Sequence, residues 1–214
     1  QLAGETARAT GLRAQQDIRQ HWTLDRTADT LLQRASRLAN GAPASYAQSR
    51  SIPQSVLWSA PIYDPSGYAD EARHFLLNLS AQGIEVAARP VGRNSDNFRS
   101  QLDRRTRKHL DALLAKAAPS NFVSVQHFPA YAFERDPQAA YNVGRVMFET
   151  DSLPAEWVAK CNHMDEIWVP TDFNLETFRR AVVTAKLIKV PGGIDTARFR
   201  PGLEDKIITA VRDQ

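Results

Sequence analysis

From residue 55 to residue 190, short apolar segments alternate with longer segments in which apolar residues recur at helical spacing. This alternation constrains the fold most, because strands separated by helices pair in parallel and need helices on both faces of their sheet. The predicted strands are Ser55–Ala60, Ile84–Ala88, Phe122–Gln126, Asn142–Phe148, Glu166–Val169 and Leu187–Val190. The predicted helices are Tyr68–Gln82, Asp96–Ala117, Pro154–Cys161 and Asn174–Ala181. We therefore predict an α/β protein with a Rossmann-like, mainly parallel sheet.

The composition divides the chain into four segments. Residues 1–39 have apolar residues at helical spacing and predict two amphipathic helices, which need a neighbour to cover their apolar faces. Residues 40–54 are rich in Gly, Ala, Ser and Pro and predict a linker. Residues 55–201 hold the predicted sheet, and residues 202–214 resemble the start of a further element. We expect the chain to be a piece of a longer protein.

The charge composition argues against a general nucleic-acid binder. Lys and Arg number 27 against 24 Asp and Glu, which gives a nearly balanced net charge of +3. The one dense basic stretch, residues 99–108, is interpreted as the solvated face of an amphipathic helix. A polyanion or a membrane surface is the less favoured partner of this stretch.

Cysteine usage and hydropathy limit the environment of the protein. The single cysteine, Cys161, excludes an internal disulfide, and histidines and cysteines are not paired at metal-ligand spacing. We therefore predict no metal site and a reducing, cytoplasmic environment. No apolar run in the sequence approaches the ~20 residues that span a bilayer, so any membrane contact is expected to be peripheral, at the inner face.

Polar residues that follow the predicted strands are the first candidates for a site, because ligands of open parallel sheets bind beyond the carboxyl ends of the strands. Gly67 lies in the loop after the first strand, where a helix N-terminus could receive a phosphate or where the glycine could simply form a turn. His127 follows the third predicted strand and could bond a sugar hydroxyl or a phosphate, or be a structural histidine.

Two further strand exits carry candidates. Glu149 and Thr150 follow the fourth strand, where a carboxylate could bind sugar hydroxyls, act as acid or base, or cap the next helix. Asp151 or Ser152 is the more favoured cap of that helix. Gly193 follows the last strand in the run PGGID, which predicts a tight turn or a ligand contact.

Read together, the strand exits form three blocks: DPSGYADEARHFLLNLSAQGIEV, MFETDSLPAEWVAKCNHMDEIWVPTDFNLETFRR and KLIKVPGGIDTARFRP. In order and spacing these blocks resemble the retaining glycosyltransferases of the GT-B fold, in particular the large family 4, over roughly residues 55–201. Residues 1–39 are similar to the closing helices of such an enzyme. The chain is therefore expected to join the tail of one glycosyltransferase module to the N-terminal, acceptor-side domain of a second.

The resemblance implies transfer of a sugar from a nucleotide-sugar donor to a carbohydrate or glycolipid hydroxyl, with retention at the anomeric carbon and without a cofactor or a catalytic metal. By the same resemblance, Gly67 and Tyr68 lie near the donor phosphates and His127 lies beside the transferred sugar. Glu149 falls in the FET motif of the family and is assigned to acceptor or hinge contacts. Thr150 and Gly193 complete the predicted substrate-binding residues.

The chain departs from the family pattern in several places. Ala69 stands where relatives commonly have a second glycine, and Gly192 replaces the more usual Asn or His. The paired glutamates of the donor domain lie beyond this chain, so the chain alone is expected to be inactive. Two other readings stay open: a non-catalytic carbohydrate-binding or scaffold module of the same fold, and a GT-B-like epimerase of nucleotide sugars.

Overall fold

The protein is an α/β structure built on one six-stranded sheet in which every pair of neighbouring strands is parallel. The computed structural model describes residues 55–93, 95–194 and 196, together with the isolated positions 13, 16, 17, 20, 23 and 29. The strands are β1 (Ser55–Ala60), β2 (Glu85–Pro90), β3 (Phe122–His127), β4 (Tyr141–Arg145), β5 (Glu166–Val169) and β6 (Lys186–Lys189). The predicted Rossmann-like parallel sheet is confirmed.

Five helices and one short 3-10 helix connect the strands of the described region. The helices are α1 (Gly67–Ala81), α2 (Asp96–Gln101), α3 (Arg104–Leu114), α4 (Ala155–Asn162) and α5 (Asp172–Arg180), and the 3-10 helix is Ala130–Ala132. Side chains alternate between the two faces of each strand, so Val56 and Trp58 of β1 join one core cluster while Leu57 joins another. Helices α1 and α3 cover the face that carries Trp58, and α4 and α5 cover the opposite face.

The strand order β2-β1-β3-β4-β5-β6 creates a switch point between β1 and β3. The chain leaves β1 for β2 on one side and then crosses back to β3 on the other side of β1. The loops that follow β1 and β3 therefore diverge, and a crevice opens between them at the carboxyl edge of the sheet. In doubly wound sheets this crevice is where ligands bind.

Three predictions were wrong in detail. The single helix Asp96–Ala117 is two helices, because Leu102 is extended and the Asp103 carboxylate caps α3 by accepting from the Thr106 amide at 3.0 Å. Asp151 and Ser152 do not cap α4, whose N-cap is Pro154 without a side-chain bond. The strand predicted as Asn142–Phe148 ends at Arg145.

Before the sheet, the structure describes only isolated positions of the chain. Positions 13, 16, 17, 20 and 29 are helical, and Thr23 forms an isolated parallel bridge with Ile194 at the end of the sheet. The remainder of residues 1–54 and all of residues 202–214 lie outside the described part of the chain, so the predicted tail helices, linker and domain boundaries stay predictions. Among the described helices, none has the length and apolarity needed to cross a membrane.

Gly144 of β4 gives a direct test of the packing between the sheet and the 3-10 helix. A methyl group at this position would overlap the Phe133 ring and lie 2.8 Å from Ile167 Cδ1. Gly144→Ala should therefore lower the free energy of unfolding by about 1–3 kcal/mol, the usual cost of overpacking. Gly67→Ala is the matched control, since nothing lies within 4 Å of its added methyl. Equal urea midpoints for the two variants would contradict this packing.

Candidate functional site

A buried arginine shapes the loop between β1 and α1. Arg73 is 6% exposed, and its guanidinium donates to the carbonyl oxygens of Ile62 and Asp64, at 2.8 and 3.1 Å, and to the Asp70 carboxylate at 3.0 Å. Because these bonds join the first turns of α1 to the loop that precedes it, the loop is held against the helix. The N-terminus of α1 is thereby fixed at the edge of the switch-point crevice.

Side chains of the residues just before α1 cap its N-terminus. The Asp64 carboxylate accepts from the Ser66 amide at 2.8 Å, and the Ser66 hydroxyl accepts from the Ala69 amide at 3.3 Å. The bonds from Ser66 lower the pKa of Asp64 below its ordinary value. Gly67 is exposed as the first residue of the helix, where the positive end of the helix dipole favours an anion.

His127 is the last residue of β3 and is completely buried. Its ring lies among the rings of Trp58, Tyr68 and Phe75, with centroid distances of 5.7, 5.6 and 5.9 Å. Its Nε2 atom lies 2.9 Å from Glu71 Oε2, a contact with the distance of an ion pair but without the alignment of a hydrogen bond. Its Nδ1 atom has no hydrogen-bonding partner among the described residues.

A bidentate ion pair lies beside His127 and links three elements. The Arg145 guanidinium of β4 donates to both oxygens of Glu71 in α1, from Nη2 at 2.6 Å and from Nε at 3.1 Å. Its Nη1 atom donates to the Val190 carbonyl after β6, at 2.6 Å. Arg145 is fully buried and the Glu71 side chain is 15% exposed. The pair therefore places a carboxylate anion, neutralised by one guanidinium, next to the imidazole.

Burial and charge set the protonation states of this group. Burial raises the pKa of Glu71, but the contact with His127 and the positive charge of Arg145 outweigh it and bring that pKa to about 2. For His127, burial lowers the pKa, Glu71 raises it, and the charge of Arg145 lowers it further, with a net decrease from 6.5. The site at neutral pH is thus a neutral imidazole between a carboxylate and aromatic rings.

Tyr68 spans the crevice above His127. Its hydroxyl lies 3.1 Å from both the nitrogen and the carbonyl oxygen of Met147, so it donates to the oxygen and accepts from the amide. Burial raises the pKa of this hydroxyl to about 12. A side chain from α1 is therefore fastened to the segment after β4, with its ring against the imidazole.

The loop after β6 reaches the same place. A Cβ atom at Gly192 would lie 2.8 Å from Glu71 Oε1, so the absence of a side chain here leaves room for the carboxylate. Gly193 follows it and is half-buried. Glu149 and Thr150 are both exposed, and the charge of Glu149 contributes to the raised pKa of Tyr68. The structure therefore gathers Tyr68, His127 and the loop after β6, with Gly67 at the start of α1 and Glu149 and Thr150 at an exposed rim.

Sequence reasoning missed Glu71 and Arg145. An arginine inside the apolar strand sequence YNVGRVMF was the available signal, because a charge in a buried strand demands a partner. The partner could not be named, since Glu71 lies 74 residues away. The described residues contain no group of three or more His, Cys, Asp or Glu side chains that could hold a metal ion. The cluster of Glu71, His127 and Arg145 can instead supply hydrogen bonds and a fixed negative charge.

Comparison of the chain with models of protein families, with curated proteins and with solved structures finds no match in any of the three. The resemblance of the three sequence blocks to a glycosyltransferase family therefore stays a prediction.

The buried neutral imidazole predicts a pH dependence of stability. Below about pH 6.5 the unfolded chain protonates His127 while the folded chain, whose pKa is lower, does not. The free energy of unfolding should therefore decrease as the pH falls from 6.5, by at most ~1.4 kcal/mol per pH unit for one proton. His127→Gln should flatten this slope between pH 7 and pH 5 in urea titrations. The exposed His163→Gln control should keep it, and a wild-type slope in His127→Gln would refute the assignment.

Proposed function

We propose that this chain is the acceptor-side domain of a retaining glycosyltransferase that takes its sugar from a nucleotide sugar. The observation that carries the proposal is the position of His127 at the end of β3, on the switch-point crevice and next to the N-terminal turn of α1. An imidazole beside an anion-favouring helix N-terminus suits a substrate with a sugar joined to phosphates. The three sequence blocks that resemble family 4 supply the reaction class.

In this proposal the residues of the crevice contact different parts of the substrates. The N-terminus of α1, at Gly67 and Tyr68, faces the phosphates of the donor. His127 forms a hydrogen bond that strengthens in the transition state beside the transferred sugar. Glu149 and Thr150 at the rim and Gly193 after β6 contact the acceptor, a carbohydrate or a glycolipid. Because His127 is completely buried, the Tyr68 ring must move aside before a substrate can reach it.

The same burial favours a second candidate function. Tyr68 is bonded to both backbone atoms of Met147, and the imidazole beneath it has no exposed surface. A domain in which this arrangement never opens would bind a carbohydrate or a partner at its rim without turnover. Tyr68→Ala removes the cover and distinguishes the candidates. A transferase should change its turnover in this variant, whereas a domain that binds only at its rim should keep its carbohydrate affinity and show no transfer in either form.

The proposal is tested with the full-length gene product and a panel of nucleotide sugars, by following release of the nucleoside diphosphate. His127→Ala should lower the turnover by about 10²–10³-fold, the cost of removing one preorganised hydrogen bond to a transition state. His163→Ala, at the end of α4, is the matched control and should be unchanged. Equal turnover in His127→Ala and the wild type would remove His127 from the site.

A further inference from the structure

The contacts around His127 determine which of its two nitrogens carries the proton. Nε2 lies 2.9 Å from a carboxylate oxygen of Glu71, and Arg145 holds that carboxylate by both oxygens. The N–H direction is not aligned for a hydrogen bond, but the charge on Nε2 still decides the contact. An unprotonated nitrogen is the negative end of the ring dipole and would be repelled by an anionic oxygen at this distance, whereas a protonated nitrogen is attracted. Since a neutral imidazole has one N–H and one lone pair, a proton on Nε2 leaves Nδ1 as the acceptor.

The other groups packed against the ring do not compete for this choice. Trp58 and Phe75 present aromatic rings without a titrating group, and the hydroxyl of Tyr68 is engaged by Met147. Arg145 binds both oxygens of the same carboxylate, and its positive charge disfavours a positive charge on the imidazole. Glu71 is therefore the one charged neighbour among the described residues that can discriminate between the tautomers.

We propose that Glu71 is a positioning residue that holds His127 as the Nε2-protonated tautomer, so that Nδ1 presents a lone pair to a hydroxyl donor. Arg145 keeps the carboxylate ionised and in place, and Gly192 leaves room for it. Resting on the proposed function, the ligand of Nδ1 is a hydroxyl of the transferred sugar, which donates its hydrogen to the imidazole. The inference thus assigns the direction of the hydrogen bond.

The tautomer can be measured on the 214-residue chain labelled with 15N at histidine, in long-range proton–nitrogen correlation spectra at pH 7. His127→Gln identifies the signals of the ring. We expect the wild-type spectrum to show a proton on Nε2 and an unprotonated Nδ1. In Glu71→Gln the amide can also donate, so the Nδ1-protonated form should rise several-fold relative to the wild type.

Asp70→Asn is the matched control, because it makes the same chemical change one position earlier on α1. Asp70 lies 3.8 Å from His74, so this variant should move the signals of His74 and leave those of His127 unchanged. A proton on Nδ1 in the wild type would overturn the proposal, as would an unchanged tautomer ratio in folded Glu71→Gln. If Glu71→Gln does not fold, the position of the proton on His127 in the wild-type spectrum is the test of the proposal.

The result is independent of sugar transfer, since no substrate is present. Failure of the tautomer prediction would leave the transferase proposal standing, and failure of the turnover screen would leave the tautomer standing. Gly192→Ala gives a second perturbation, because its methyl would lie 2.8 Å from Glu71 Oε1 and push the carboxylate. We expect a shift of the His127 ring nitrogens in that variant, and unchanged ring nitrogens would count against the proposal.

Discussion

Glu71→Ala is expected to lower the free energy of unfolding by about 3–5 kcal/mol, the cost of breaking a buried ion pair on one side. The guanidinium of Arg145 is fully buried and, among the described residues, would keep one hydrogen-bond acceptor, the Val190 carbonyl. A buried charge without a counter-ion cannot recover its lost hydration, and an arginine does not escape by losing its proton. Urea denaturation at pH 7 measures the difference.

A double-mutant cycle separates the ion pair from simple truncation. Because hydrophobic residues of similar volume often replace a buried pair at little cost, Glu71→Leu combined with Arg145→Met should be more stable than Glu71→Leu alone. Glu176→Ala removes a carboxylate whose ion pair with Arg180 is exposed on both sides, and it should cost no more than ~1 kcal/mol. A cost below that figure for Glu71→Ala would show that Arg145 finds another partner or water.

Trp58→Ala is the second large effect, with an expected loss of about 3–5 kcal/mol. The indole has no exposed surface and lies at 5.3 Å from the ring of Phe75, 5.7 Å from that of His127 and 6.4 Å from that of Trp168. These neighbours belong to α1, β3 and β5, so they cannot all collapse into the space that the indole leaves. The substitution would also remove one of the rings that pack against the imidazole of His127.

The controls for Trp58 use aromatic residues of different burial. Phe173→Ala removes a ring that is 49% exposed and should change stability by no more than ~0.5 kcal/mol. Trp58→Phe keeps most of the volume and deletes an indole N–H that has no partner among the described residues, so its loss should be much smaller than that of Trp58→Ala. A Trp58→Ala loss as small as that of Phe173→Ala would contradict the central place of Trp58 in the core.

The fold was predictable because the period of the apolar residues changes repeatedly between two and about 3.6 along one chain. β1, with six buried residues between turn signals, was predicted with its observed bounds. The break between α2 and α3 was not predicted, since the apolar spacing continues across Leu102 and Asp103 and only the capping bond of Asp103 ends the helical path. Local capping there outweighs the periodicity.

The site was predictable only in part. Strand exits point to Gly67 and His127 because topology alone brings carboxyl ends to one edge. The role of the Tyr68 side chain depends on a bond to the backbone of Met147, 79 residues away, and no local pattern encodes it. The same holds for the approach of Gly192 to Glu71, for which no local pattern in the sequence is a signal. Contacts of this kind follow from packing, after the elements are placed.

Sugar transfer itself is tested most directly by the anomeric configuration of a product. The full-length gene product, given the nucleotide sugar that it turns over and a panel of carbohydrate and glycolipid acceptors, should form a new glycosidic bond with the configuration of the donor, as read by NMR. The predicted result is a product with retained configuration from the wild type and from His163→Ala, and a large loss of that product in His127→Ala. Absence of transfer from every nucleotide sugar, or a product of inverted configuration, would contradict the account.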